Sequence, residues 1–378
     1  MLKHIINVSR HLKIHSQITS HTPFYSTSLN PPPKSNIILE FLTNSLSLSQ
    51  EEANFITTQL GPLKSTQNPT SVTNFLKRSG FDDAQIRKIV AGYPKILTTK
   101  VEENLEPKLR VLMDLGLSPG ELVIFMTDRS RLLRRGLGSV LVPLLDTMRG
   151  VLGNNADVIK ALKGLVSRGL PQRGIVKENV EMLRACGVSE ENIKKLMVWN
   201  LQCLCLKKSW LKGVVNKVKD RLGLCGDSRM FWVGIKTLGS MTDKTLESKF
   251  KVFRSYGWDD EDILKLARRN PFTLMTSEGK LRTGLDYFMK EQGYHPGTLA
   301  GTPMLLMLSL DKRIRPRIAV LKLLKDKKLV KESVSLISVL CRTESEFLRS
   351  YIERHKDRIP ELYEVYMKNV NAASETTG

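Results

Sequence analysis

The chain is poor in the groups that carry most enzyme chemistry. It has six histidines, and four of them (His4, His11, His15 and His21) fall within the first 21 residues. Only His295 and His355 remain for the body, too few for a histidine-based catalytic or metal centre. Five cysteines (Cys186, Cys203, Cys205, Cys225, Cys341) contain no CxxC, and Cys203/Cys205 has neither a second pair nor a histidine at zinc spacing. They read as reduced structural thiols. Gly136-Leu137-Gly138 is half of a dinucleotide fingerprint without its third glycine or a preceding strand, and no phosphate loop with its lysine occurs. Acidic pairs such as Asp82-Asp83 and Asp259-Asp260 stand where helix caps are needed. The expectation is a protein that is not an enzyme and takes no cofactor or metal. No apolar run approaches the roughly 18 residues of a membrane span. The longest candidates, 304–310 and 334–340, are far shorter, so no membrane partner is expected. Aromatics make up only 6% of the chain, so the 41% hydrophobic content must build its core from Leu, Ile, Val and Met.

Acidic residues are missing from the start of the chain: none precedes Glu40, whereas Lys3, Arg10 and Lys13 are present among frequent Ser, Thr and Ile. This composition matches an organelle transit peptide over residues 1–25, cut after Phe24 or Tyr25, with no contiguous apolar stretch of the secretory kind. A mitochondrial address is expected, with the chloroplast as the alternative. Pro31-Pro32-Pro33 makes residues 26–36 a stiff linker.

Positive charge, by contrast, is abundant. The formal net charge is +21 and the isoelectric point about 9.8; without the leader the charge is still +18. An excess of this size favours polyanionic partners, nucleic acid before an anionic membrane surface.

The clearest pattern is a repeat. Residues 80–97 open with Gly80-Phe81-Asp82, place Ile86, Ile89, Val90 and Tyr93 at helical spacing, and end at Pro94 and Leu97. Gly80 suits the left-handed residue that closes a preceding helix. Asp82 and Gln85 have the spacing of a capping box, and Pro94 ends the helix. Gly257-Trp258-Asp259 begins a second copy, with Ile263, Leu266, Ala267, Pro271 and Leu274. Gly116, Gly187, Gly223 and Gly293 open further copies at spacings of 34 to 36 residues, and a weak copy is expected near Leu152. Leu97, Leu133, Leu204, Leu274 and Leu310 all stand 17 residues after their opening. A second, longer helix completes each unit. Pro107 and Pro143 lie 36 residues apart near the start of two of these helices, where the missing donor is tolerated. A worn first unit covers 37–79. The corner proline is absent from the units at 116, 152, 187 and 223, so an irregular middle is expected. The unit 152–186, with Gly164, Gly169, Pro171 and Gly174, is either a looser repeat or a bend. The organisation read from this is a helical repeat array over 37–325, a terminal helical cap over 326–367 and a polar, disordered tail over 368–378.

A 35-residue period also fits tetratricopeptide repeats, but their Trp, Leu-Gly, Tyr, Ala, Pro signature is missing. The residues Gly80-Phe81, Ile86, Pro94, Leu97 and Pro107 to Gly116, repeated in 257–274, resemble the mitochondrial transcription termination factor family, mTERF. Lys312-Arg313-Ile314-Arg315-Pro316-Arg317 resembles the basic Pro-Arg element of that family's last repeats, and 347–366 the closing segment of its plant members. The resemblance implies an all-α curved solenoid with a basic inner groove. It also implies binding of organellar nucleic acid in transcription, its termination, or intron splicing.

Basic residues gather near the corners in four clusters: Arg129, Arg131, Arg134 and Arg135; Lys207 and Lys208; Arg268 and Arg269; and Lys312, Arg313, Arg315 and Arg317. An array would set them along one track, matching a phosphate backbone. Aromatics do not interleave with these clusters in the sequence, which favours organellar double-stranded DNA or structured RNA over single strands. A monomer binding the duplex and regulating transcription or its termination is the first reading. An RNA-binding splicing or processing factor on the same fold is the second, and a protein–protein scaffold the third.

Overall fold

The computed structural model describes residues 37–118, 121–122, 136–164 and 173–375; the leader, the linker and the first basic cluster lie outside the described residues. The protein is three-quarters helical, and the described residues contain no strand. It divides into two compact parts, Met1–Thr66 and Gln67–Gly378.

In the first part, α1 (Ile37–Asn44) packs on α2 (Gln50–Leu60), burying Ile38, Leu42, Ala53 and Ile56. Ser49 caps α2: its hydroxyl accepts from the Glu52 amide at 3.2 Å, and the Glu52 carboxylate accepts from the Ser49 amide at 3.0 Å.

The second part begins with α3 (Gln67–Arg78), α4 (Asp83–Gly92) and α5 (Glu106–Asp114). Beyond the stretch left undescribed come α6 (Val142–Leu152), α7 (Asn155–Gly164), α8 (Ile175–Ala185), α9 (Glu190–Leu204) and α10 (Lys208–Leu222). Next are α11 (Phe231–Gly239), α12 (Asp243–Arg254), α13 (Asp260–Arg269), α14 (Glu278–Leu285), α15 (Pro296–Gly301) and α16 (Arg315–Asp326). The chain closes with α17 (Leu336–Cys341), α18 (Glu344–Phe347) and α19 (Leu362–Glu375); α19 runs through residues 368–375, so the tail expected to be disordered continues the last helix there. Helices pack on their counterparts one unit away. The first helices α7, α9 and α11 lie side by side, as do α13 and α15; the second helices α6, α8 and α10 do the same, as do α12 and α14. Each unit therefore buries its apolar face on the next one.

The unit boundary has one geometry throughout. Gly80, Gly116, Gly153, Gly187, Gly223, Gly257 and Gly293 all have positive φ, between 61° and 101°. At 80, 116, 187 and 257 the following residue donates back to the carbonyl five positions earlier, as Phe81 does to Leu76 at 3.2 Å. The weak copy thus opens at Gly153. Two non-glycine residues take the same role at the ends of the series, Ser47 (φ 51°) and Lys328 (φ 57°). Lys328 stands 35 residues after Gly293, and Leu329 donates to Leu324 at 2.8 Å in the same closing bond. The stretch expected as a cap therefore starts with the turn that starts every repeat. Left-handed geometry costs a side chain about 1 kcal/mol or more that glycine does not incur. Lys328→Gly should accordingly raise stability by about 1 kcal/mol, read from the urea midpoint.

Four of the first helices end at a shared corner. Tyr93 (φ −147°, ψ 75°), Asn270 (φ −153°, ψ 91°) and Thr302 (φ −137°, ψ 60°) each precede a proline that opens a 3-10 turn, Pro94–Thr98, Pro271–Met275 and Pro303–Met307. Asn200 has the same break (φ −154°, ψ 44°) with Leu201 where the others have proline. The missing proline does not remove the corner from this unit, because the break is also held by a buried anchor. Leu97, Leu204 and Leu274 are all fully buried. Leu310 is only half-buried; its unit has a shorter first helix, and Leu306, three residues after Pro303, is the anchor instead.

The second helices start earlier than their prolines suggest. A wide π-turn, Val101–Leu105, Leu137–Leu141 or Leu310–Ile314, precedes Pro107, Pro143 and Pro316 by two residues. A proline ring inside an α-helix meets the carbonyl four residues back, and the π-turn relieves that clash.

Close approach between units is tightest at Gly226. Its carbonyl accepts from the Ser189 amide at 3.1 Å and from Asn192 Nδ2 at 2.9 Å, and a Cβ there would lie 2.1 Å from the Gly187 oxygen. Gly226→Ala must separate the two units and should cost about 2–3 kcal/mol in chemical denaturation.

Candidate nucleic-acid interface

Many polar side chains on the second helices are turned inward. Asn68 Nδ2 donates to the carbonyls of Leu97 (2.7 Å) and Thr99 (3.2 Å) at the corner of the next unit. Asn179 Nδ2 does the same to Leu204 and Leu206, both at 2.9 Å. Lys249 Nζ reaches the Thr276 carbonyl at 2.7 Å and Lys280 Nζ the Met307 carbonyl at 2.6 Å. The backbone that leaves each corner has carbonyls no helix can satisfy, and the preceding unit supplies the donor. Burial holds Lys249 and Lys280 below the ordinary lysine pKa, as it does Lys108, which is 4% exposed. These cations are spent on the fold.

Arg317 is the extreme case, and it corrects the expectation for the last cluster. Its side chain is fully buried, and its guanidinium donates to the carbonyls of Val339 (3.2 Å), Leu340 (3.2 Å) and Arg342 (2.7 Å) and to the Glu344 carboxylate (2.8 Å). The plane lies 4.5 Å from the Phe347 ring centroid. Full burial keeps the guanidinium away from any phosphate, even though its Nε has no partner, so Arg317 is a structural residue holding α17 and α18 to α16. Glu344 in turn accepts from the Tyr366 hydroxyl at 2.7 Å. Burial and that carboxylate push the Tyr366 phenol up to about 12. Arg313 is half-buried and donates to the Arg342 carbonyl; burial, then the neighbouring Arg317, hold it below the ordinary arginine value. Arg315 is exposed but faces Glu291 and Asp311, each at 3.5 Å, and sits 4.9 Å from the Tyr287 ring. Lys312 is exposed at the surface.

The other described cations divide in the same way. Arg268 Nε donates to the Leu222 carbonyl at 2.7 Å, capping the end of α10 from α13. Arg268 and its neighbour Arg269 are both exposed. Lys207 and Lys208 are exposed at the start of α10. Arg129, Arg131, Arg134 and Arg135 lie outside the described residues. Of the eight candidates the structure describes, Lys207, Lys208, Arg269 and Lys312 are the exposed ones free of the fold-holding bonds just described.

Apolar side chains accompany them, which the sequence reading did not anticipate. Among the described residues, five of the nine large apolar side chains that are exposed belong to the corners or directly follow them: Trp199, Leu206, Trp210, Met275 and Met304. Trp199 carries Lys160 Nζ 3.9 Å from its ring centroid, and Phe272 carries Lys236 Nζ at 5.3 Å. In both pairs the lysine comes from the first helix of the preceding unit, which is why linear spacing hid them. The one available signal was local: Trp199, Trp210 and Phe272 stand within eight residues of Lys207, Lys208 and Arg269.

Among the described residues no group of three or more His, Cys, Asp or Glu could hold a metal ion, and no helix is long and apolar enough to cross a membrane. Burial raises the thiol of Cys205 to about 12 and pushes Cys203 up further, which keeps both unreactive.

A family model for mTERF matches residues 73–207 and 176–348, most of the chain. The chain belongs to the mTERF family. No curated protein matches it. The mTERF family consists of organellar helical-repeat proteins that bind nucleic acid and is not known as a family of enzymes. The mTERF match runs from within α3 to the residue after α18, so it covers every corner described above in the second part.

Proposed function

We propose that this protein binds organellar nucleic acid through the cations at its corners and thereby regulates transcription or its termination. The observation that carries the reading is the recurrence of exposed Lys207, Lys208, Arg269 and Lys312 near three of the corners of a chain with net charge +21. Recurring cations suit a partner with repeated negative charge, and phosphate contacts fix position without reading bases. Bound to duplex DNA, such an array obstructs a polymerase. Arg129, Arg131, Arg134 and Arg135, which lie outside the described residues, are part of the same proposal as further phosphate contacts. A mitochondrial, plant-type, monomeric protein with a leader over 1–25 is part of the proposal, as is the division into array and cap.

The exposed Trp199 and the Lys236–Phe272 pair favour a second reading, an RNA-binding factor in splicing or processing, since aromatic side chains recognise unpaired bases. Fluorescence anisotropy of the full chain against duplex DNA, structured RNA and single strands tests both. Salt-dependent binding to at least one is expected; binding to none at low salt leaves the scaffold reading.

A further inference from the structure

We propose that the corner at Trp199 is a stacking platform for an unpaired base, so that the ligand presents unpaired nucleotides beside its backbone contacts. This rests on the nucleic-acid reading above and specifies the ligand it takes.

Trp199 lies one residue before the break at Asn200, near the end of α9. The residue is 51% exposed, an unusual placement for the largest apolar side chain, whereas Trp258 is 3% exposed in the core. The neighbouring chain gives it a basic setting. Lys160 from α7 approaches its ring, and Lys207 and Lys208 open the next helix eight and nine residues on. Trp210 follows, packed on the next unit, where a Cβ at Gly239 would lie 3.1 Å from its ring. A cation 3.9 Å above an indole holds the ring without covering it. A base stacked on the ring gains more than an exposed cation–π contact loses, and the displaced ammonium is then free for the adjoining phosphate. The same pairing recurs at Phe272 with Lys236, two units on, against Trp232 in edge contact at 6.3 Å. Aromatic faces interleaved with cations are the arrangement that binds strands with open bases, and a fully paired duplex offers those faces nothing to stack. Charge complementarity names the occupant: the surface is cationic, and an apolar protein segment would leave those lysines unmatched.

The test compares three labelled 20-mers by anisotropy at one salt concentration: a paired RNA duplex, the same duplex with an unpaired loop, and a single strand. The wild-type protein should prefer the looped and single-stranded ligands. Trp199→Ala should lower affinity for these roughly tenfold and leave the paired duplex within about twofold; Trp199→Phe should keep most of the preference. Thermal melting of each variant reports the fold independently, and a residue half in solvent should leave it intact. An undiminished preference in Trp199→Ala overturns the proposal, and so does an equal loss on all three ligands. Absence of salt-dependent binding by the wild type to any of them overturns the nucleic-acid reading itself, which is a separate result.

Discussion

Arg317→Met should cost about 3–5 kcal/mol of stability, the largest single-residue effect expected in this protein. The reason is the acceptors left behind. Three carbonyls and a carboxylate share one guanidinium, and a methionine of similar length fills the space without donating to any of them. A buried carbonyl stripped of its partner costs about 1–3 kcal/mol. Glu344 is 54% exposed and recovers water, so the carbonyls of Val339, Leu340 and Arg342 carry most of the loss. The damage spreads, because Tyr351, Phe347 and Tyr366 form the core on which α16 and the last helices meet. Arg317→Lys should recover only part, since one ammonium cannot span four acceptors. Urea denaturation followed by circular dichroism measures both variants; a loss below 1 kcal/mol for Arg317→Met contradicts the assignment. The result also bears on function: a charge reversal at Arg317 that abolishes binding reports unfolding, and Lys312 is the member of that cluster to test for contact.

Affinity for nucleic acid should fall about two orders of magnitude between 50 and 200 mM salt if the four exposed corner cations each neutralise one phosphate. Each contact on a duplex releases about 0.9 counterion, so four give a slope near −3.6 in log K against log salt. A slope near −7 brings the Arg129–Arg135 cluster into the interface, which adds four charges. Replacing both Lys207 and Lys208 by Ala should flatten the slope by about 1.8 and weaken binding across all sequences alike. Replacing Arg268 should leave the slope unchanged, because its guanidinium is engaged on the Leu222 carbonyl. A slope near zero in the wild type argues against a phosphate track altogether.

The two predictions separate cations that the sequence presents as one class. Lys312, Arg313, Arg315 and Arg317 occur within six residues and read as one basic patch. Position on a helix splits them. Two residues along from Arg315, Arg317 faces the next unit, whereas Arg315 faces solvent beside Glu291 and Asp311. Charge counting has no access to that difference.

The sequence by itself determined the repeat, its period and its punctuation. These features are local: a left-handed glycine, a capping carboxylate three residues ahead of its partner, and a proline that stops a helix each act within a few residues of themselves. Gly80, Asp82 with Gln85, Pro94 and Leu97 therefore do in the structure what their spacing implies. Only the tertiary structure decided what each unit gives its neighbour. Asn68, Asn179, Lys249, Lys280 and Arg317 satisfy carbonyls 22 to 31 residues away, and Lys160 and Lys236 meet rings 39 and 36 residues on. It likewise kept the corner at Asn200 without a proline and moved the anchor from Leu310 to Leu306. These outcomes depend on stacking one unit on the next, since an orphaned carbonyl or an open ring face has a partner only once the following repeat is in place.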